Sequence, residues 1–380
     1  MPLHVVILGA GFGGLELSTR LSEEVAGDVR VTLIDKSDSF VFGFAKLDVL
    51  FGRRSLDEVR HPYRDVVKPA VEFRQETVVS IDPESRRVVT DGGAYDADIL
   101  VVALGADYDI AATPGLVEGG HEFYSEEGAE RAAQAVARFD SGTAIVGVLG
   151  PLFKCPPAPF ETAFLLNDAL ASRGVRDATS IYIITPLPKA IPVSDEVSGA
   201  IASLLGERGI EFWPSSKVIR LDPEAKVARL EDGRELAYDL FLAVPVHRAP
   251  AVVVESGLAV NGWIPVDVKT FATPFPDVFA VGDVTSAPVP RAGVIAEGEA
   301  ATLADVLIAR VRGGGEVPPY AGAAVCYMEM GDEVVGGVRV NFLSGPSPTA
   351  VFSPPSPEMA AEKKEWGASR SRRWFGHDVA

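Results

Sequence analysis

The sequence predicts an α/β fold: two tandem Rossmann-like domains of the dinucleotide-binding type, each with a β-meander insertion, followed by a C-terminal α+β region. Three observations predict it. A glycine-rich turn, Gly9-Ala10-Gly11-Phe12-Gly13-Gly14, joins an apolar strand to a helix, and the next strand closes on Asp35. A meander text occurs twice, about 140 residues apart, which marks an internal duplication. The 380 residues are 47% apolar, enough for two ordinary domains and an appendage.

The opening residues 3–8 read as a strand, residues 13–24 as a helix and residues 29–34 as a second strand, which is a βαβ unit. Residues 71–74 lead through 78–84 and 87–89 to the Asp91-Gly92 turn, then through Tyr95-Asp96 into an apolar strand at 99–102. The same text returns at 210–212, 218–224 and 226–227, with Asp232-Gly233 as the turn and residues 238–242 as the return strand. A second βαβ unit is therefore expected before it, with strands at 144–149 and 180–184 around a helix over 160–173. The domains are drawn at residues 1–112 with 246–312, residues 113–245, and residues 313–380.

Composition narrows the function classes. With 35 Lys and Arg against 53 Asp and Glu, the net charge of −18 argues against a nucleic-acid partner. Two cysteines, neither in a Cys-x-x-Cys pair, provide no disulfide framework and no metal site. The first residues already read as a strand, leaving no room for an export signal, so a cytoplasmic location is expected. Apolar runs are broken well short of the roughly 18–20 residues that span a bilayer.

The two halves carry different chemistry. In the first, Gly9, Gly11 and Gly14 let the backbone approach a pyrophosphate at a helix N-terminus, and Asp35, followed by Lys36, can accept ribose hydroxyls. In the second, the corresponding text is Gly147-Val148-Leu149-Gly150-Pro151-Leu152-Phe153-Lys154-Cys155-Pro156-Pro157. Its prolines remove backbone donors, and the following strand ends in Thr185-Pro186 without an acid, so a tightly held NAD(P) is not expected there. A cysteine stands in its place.

With a later Thr270-Phe271-Ala272-Thr273-Pro274-Phe275-Pro276-Asp277-Val278-Phe279-Ala280-Val281-Gly282-Asp283, the chain resembles the FAD-dependent pyridine nucleotide-disulfide oxidoreductase superfamily. Phe153-Lys154-Cys155-Pro156-Pro157 and Ala292-Gly293-Val294-Ile295-Ala296-Glu297 resemble its branch of sulfide:quinone oxidoreductases and flavocytochrome c sulfide dehydrogenase flavoproteins. The resemblance implies FAD, with Gly9, Gly11 and Gly14 at the pyrophosphate, Asp35 at the adenosine ribose, Val78 near the adenine and Asp283 at the ribityl chain. It implies that the helix starting at Gly293 and Val294 faces the flavin, and that Gly105 lets the chain pass beside it. Cys155 and Cys326 match the branch's redox cysteines: hydrosulfide would open their bridge, Cys326 would meet the flavin at C4a, and Cys155 would hold the sulfane sulfur. A reactive thiol at Cys155 would need an electropositive, partly exposed setting.

Glu161 reads equally as a proton-handling acid and as a surface acid of a first helical turn. His247 reads first as a satisfied loop residue and second as a wall of the acceptor side. A third cysteine found in many members of the branch is missing. Phe42-Gly43-Phe44-Ala45-Lys46 stands where the flavocytochrome subunit ties its flavin through cysteine, so FAD should be non-covalent. Quinone or another acceptor is expected rather than a cytochrome c. The tail, with Lys363-Lys364-Glu365-Trp366 and Arg370-Ser371-Arg372-Arg373-Trp374-Phe375, reads as a patch for the inner face of the membrane or as a core-capping helix. A homo-oligomer is left open. Two rivals stand beside sulfide oxidation: an NAD(P)H:acceptor oxidoreductase like type II NADH dehydrogenase, and a flavin-binding redox sensor.

Overall fold

The computed structural model describes residues 1–377. Its first half is built on a five-stranded parallel sheet in the order Val278–Ala280, Ile99–Val102, Leu3–Leu8, Val29–Asp35, Val71–Gln75. These strands are near-continuous apolar runs because both faces are covered. Leu15, Leu17 and Leu21 of helix Phe12–Val25, with Leu303 and Leu307 of helix Gly293–Val311, pack on one face. Ile81 and Val88 of the meander, with Val253 and Ile264, cover the other.

The second half repeats the plan. Its parallel sheet runs His121–Glu122, Leu240–Val244, Gly142–Val148, Thr179–Ile184, Ile210–Trp213. The duplication extends to a defect: the first meander slips register between Val78 and Ser80, the second between Val218 and Arg220. Both slips fall at the same point of the repeated text, as a β-bulge kept in both copies would.

The chain then forms an antiparallel sheet of Ala323–Glu329, Val335–Asn341 and Thr349–Ser356, with the expected hairpin turn at Gly331 and Asp332. The proline-rich stretch supplies the third strand. It is an edge strand, and Pro354 and Pro355 fall where its pairing slips between Gly337 and Val335, so their missing N–H groups cost no ladder bond.

The closing helix Pro357–Phe375 is capped by Ser356, whose side chain accepts from Met359 N. Trp374 is buried, and its indole N–H donates to Glu16 Oε2 at 3.1 Å. Arg373 pairs with the same carboxylate at 2.7 Å, and Arg370 pairs with Glu297 at 2.9 Å. The tail's aromatic and basic residues thus clamp it onto helices Phe12–Val25 and Gly293–Val311, the capping arrangement. Truncating a buried aromatic of this kind to alanine costs about 3–5 kcal/mol. Among the described residues no helix is long and apolar enough to cross a membrane.

Candidate active site

The glycine turn is shaped by contacts that exclude side chains. Gly9 sits at φ +100°, and a Cβ there would lie 2.4 Å from the Ala103 carbonyl oxygen. A Cβ on Gly14 would lie 1.9 Å from the Gly9 carbonyl oxygen, so only glycine lets the helix start against the strand. At Gly11 a Cβ would meet nothing within 4 Å. Gly11 therefore leaves room for a ligand, whereas the other two permit protein packing.

Asp35 secures the turn: its carboxylate accepts from Ala10 N at 2.8 Å and from Ser37 N at 2.9 Å. The Tyr63 hydroxyl donates to Ala10 O at 2.8 Å. Helix Phe12–Val25 and helix Gly293–Val311 both begin without a side-chain cap, leaving first-turn N–H groups unspent. A Cβ on Gly293 would strike the Phe12 ring at 2.5 Å, so this glycine lets the two helix starts converge.

A cleft of about 590 Å³ begins at this turn and reaches into the second half. Gly9, Gly11, Asp35, Lys36, Val78 and Gly105 line its first part, and Asp283 and Gly293 line it further along. Cys155 and Glu161 line it where it meets the second half. Of the residues expected at the site, Gly14, Val294 and Cys326 do not line the cleft. Gly14 is spent on packing, Val294 lies in the first turn behind Gly293, and Cys326 lies on strand Ala323–Glu329.

Cys155 occupies the left-handed region at φ +56°, held by its N–H to Arg291 O at 2.8 Å and by Ala158 N donating to its carbonyl at 2.9 Å. That places it just before helix Ala158–Ser172. Both cysteines are free thiols. Burial, then Glu161, then Cys326 push the Cys155 thiol far above the ordinary thiol range. Burial and Glu161 push Cys326 to about 12. Cys155 is partly exposed, as expected, but its setting is not electropositive: desolvation, then Glu161, outweigh Lys363, so a free thiol here stays protonated.

Glu161 is 1% exposed, which overturns the surface-acid alternative. It accepts from Glu329 N at 3.1 Å and lies 3.8 Å from Lys363 Nζ. Burial raises its carboxyl to about 7, with Lys363 opposing. Behind it, Lys363 also pairs with Glu329, which pairs with Arg53, which in turn meets Asp48 at 2.7 Å. This chain of alternating charge, buried at Glu161 and opening to solvent at Arg53, ties the terminal helix to Glu161.

The pH consequence has a definite sign. A carboxyl raised from an ordinary 4.5 to about 7 binds more protons folded than unfolded across that window, so stability is lost as pH rises through it. Removing the titration by Glu161→Gln should flatten the fall of the unfolding midpoint between pH 5 and 8, relative to wild type. The shift corresponds to a difference on the order of 3 kcal/mol. Parallel pH profiles for the two proteins in thermal melts would assign the titration elsewhere.

His247 is neither a satisfied loop residue nor a cleft wall: it lies in strand Val246–Arg248 opposite Tyr108, with Nδ1 2.8 Å from Pro245 O and Nε2 buried without a hydrogen-bond partner, and burial, then Lys154, push its pKa down to about 3. Two cleft residues, Lys46 and Tyr124, escaped sequence reading. Lys46 donates to Tyr124 O at 2.6 Å, and Lys154 donates to Ala106 O at 3.3 Å while sitting 4.8 Å over the Tyr108 ring. Burial, then Lys154, lower Lys46 to about 8. No local pattern announces Lys46 and Tyr124, because they meet across 78 residues of chain.

The family model described as pyridine nucleotide-disulphide oxidoreductase matches residues 3–302. The chain belongs to that family. This oxidoreductase is 23% identical over 364 residues to the mitochondrial sulfide:quinone oxidoreductase of Mus musculus, covering 92% of this chain and 80% of that protein. It is 25% identical over 358 residues to the sulfide-quinone reductase of Aquifex aeolicus, covering 88% and 82%. It is also 25% identical over 299 residues to a type II NADH:quinone oxidoreductase of Staphylococcus saprophyticus, covering 74% of each. The crystal structure of the Aquifex aeolicus sulfide:quinone oxidoreductase superposes with a TM-score of 0.89 at 22% identity, over 99% of this chain and 92% of that one. The oxidoreductase is an FAD flavoprotein. The open space at Gly11 and the two uncapped helix starts fit such a dinucleotide.

Proposed function

We propose that this flavoprotein oxidises sulfide or a related small sulfur species through Cys155 and Cys326 and passes the electrons to a quinone. The carrying observation is that the chain's only two cysteines, far apart in sequence, come within each other's electrostatic reach beside the buried Glu161 where the cleft enters the second half. Gly9, Gly11, Asp35, Lys36, Val78, Gly105, Asp283 and the Gly293-Val294 helix start would hold FAD non-covalently, and when bound it would supply the two-electron acceptor.

The residues divide the work. Cys155 takes the incoming sulfur, Cys326 leaves the opened bridge, and Glu161 accepts the proton, its raised pKa matching neutral pH. Phe12 and Phe44 line the cleft, and Trp366 stacks on Phe12 at 6.1 Å between centroids, offering flat apolar faces to a planar acceptor.

Anaerobic titration of the yellow protein tests this reading. Sulfide should bleach the flavin, while NADH alone should not. The similarity to type II NADH:quinone oxidoreductases makes the NADH arm decisive. Rapid bleaching by NADH with none by sulfide would replace sulfide oxidation by that activity, and a flavin indifferent to both would leave the redox-sensor reading.

A further inference from the structure

Asp283 and Cys155 line the cleft from opposite halves of the chain. Asp283 lies in the loop between strand Val278–Ala280 and helix Gly293–Val311, Cys155 in the loop before helix Ala158–Ser172. Arg291 does not line the cleft, yet it meets both loops. Its Nε donates to Asp283 O at 3.0 Å and its Nη2 to Thr285 O at 3.2 Å. Its own carbonyl accepts from Cys155 N at 2.8 Å, beside an isolated parallel bridge between Lys154 and Arg291. The guanidinium stacks on the Trp263 ring, 3.8 Å from its centroid.

The loop from Gly282 to Arg291 depends on that side chain. Pro288 and Pro290 bring it no N–H. Its own backbone closes Thr285 N onto Gly282 O at 3.0 Å and Val289 N onto Ala287 O at 2.8 Å. Glu299 holds the far end, accepting from Gly282 N at 2.5 Å. Arg291 closes the near end back onto Asp283 and Thr285, and the crevice beside it, of about 10 Å³, has room for one water at most. A planar guanidinium meets two carbonyls and a ring face at once, which the point charge of a lysine does not.

We propose that Arg291 is a positioning residue: it holds the Cys155 backbone in register with the Asp283 turn, so that one side chain sets the thiol loop of the second half and the cofactor loop of the first. The inference rests on the reading of Cys155 as the residue that takes the incoming sulfur, and adds what aims it. Cys155 stands at φ +56°, a conformation that a residue other than glycine keeps only when its surroundings impose it. The bond from Ala158 N to Cys155 O belongs to its own helix start. The bond from Cys155 N to Arg291 O therefore ties it to the other half, beside the Lys154 Nζ bond to Ala106 O at 3.3 Å. Burial is the largest cause of the raised Cys155 thiol, so freeing the loop lets water reach the sulfur and brings the thiol down.

In the FAD-loaded Cys326→Ser protein Cys155 is the sole thiol, and its alkylation by iodoacetamide across alkaline pH, followed by intact mass, reads its thiolate. Adding Arg291→Gln leaves Glu161 and Lys363, the other charged groups acting on this thiol, in place. It should move the profile to lower pH, raising the rate at fixed pH by about tenfold or more. It should also weaken FAD binding by about tenfold through the freed Asp283 turn. Arg291→Lys keeps the charge and loses the fork; it should move the profile the same way, and it reads the same quantity if Arg291→Gln fails to hold FAD. Asp283→Asn keeps the carbonyl that Arg291 bonds, so at saturating FAD it should leave the thiol profile where it is. A profile unmoved in both Arg291 variants would overturn the positioning role. So would an equal shift in Asp283→Asn, because loss of the cofactor contact would then be what frees the thiol. Sulfide takes no part in these measurements: a shifted profile in a protein whose flavin sulfide cannot reduce keeps the role of Arg291 and discards sulfide oxidation alone.

Discussion

Replacing Cys326 by serine should leave a yellow, folded protein whose flavin sulfide reduces about 10³-fold more slowly or not at all, the loss expected when one member of a two-residue catalytic unit is removed. Cys326 lies in strand Ala323–Glu329, paired with Val338 of the central strand, and is remote from the glycine turn that secures FAD. Serine fits that strand position, so the fold and the cofactor should survive. The chemistry should not, because serine cannot form the bridge that hydrosulfide opens. Burial and Glu161 hold a free Cys326 thiol at about 12, so at neutral pH it supplies little thiolate by ionisation. On the proposed chemistry, thiolate would arise instead as the leaving group of a cleaved Cys155–Cys326 disulfide. Stopped-flow anaerobic mixing of sulfide with wild-type and Cys326→Ser proteins measures this directly. A wild-type rate of bleaching in the variant would remove Cys326 from the chemistry.

The parts of the site that sequence displays are those imposed by local geometry. Gly14 must be glycine because the Gly9 carbonyl, five residues back, occupies its Cβ position, Gly9 because the neighbouring strand's Ala103 carbonyl does, and Asp35 closes the strand beside them. The duplication was legible for a similar reason: each meander is a local unit, and even its bulge repeats. The two cysteines were singled out through family resemblance alone, since spacing in the chain says nothing about a loop residue, Cys155, and a strand residue, Cys326, sharing Glu161 as a neighbour. Lys46 and Tyr124 left no trace in the pattern because a lysine in a helix and a tyrosine in a loop acquire meaning only once they touch.

Glu161 shows how burial reverses a local reading. An acid in the first turn of a helix is ordinarily a solvated, dipole-friendly residue. Here strand Ala323–Glu329 and Lys363 of the terminal helix close over it, and the same residue becomes a buried acid whose carboxyl is raised to about 7. The tail was ambiguous on the same ground. Basic and aromatic residues in alternation suit a membrane surface or a clamp equally, and only the carboxylates of Glu16, Glu23 and Glu297 decide what Arg370 and Arg373 do in the folded chain.

The two glycines of the turn should separate folding from cofactor binding. In Gly14→Ala the new methyl would lie 1.9 Å from the Gly9 carbonyl oxygen and 3.2 Å from Leu33 Cδ1. Gly9 cannot retreat, because its own φ of +100° and the Ala103 carbonyl fix it from the other side. Helix Phe12–Val25 must therefore move away from the sheet, with a destabilisation of about 3 kcal/mol or more. The pyrophosphate site moves with it, and FAD affinity should fall by about a hundredfold or more. Gly11→Ala is the contrasting case. Gly11 is extended at φ −75°, a conformation alanine adopts freely, and its methyl would meet no protein atom within 4 Å. The apoprotein should keep its unfolding midpoint while FAD, whose path the methyl enters, binds more weakly. Thermal melts of the apoproteins with fluorescence titration by FAD measure both quantities. Gly14→Ala with wild-type affinity would refute the packing argument, and Gly11→Ala with wild-type affinity would place the pyrophosphate elsewhere than against this turn.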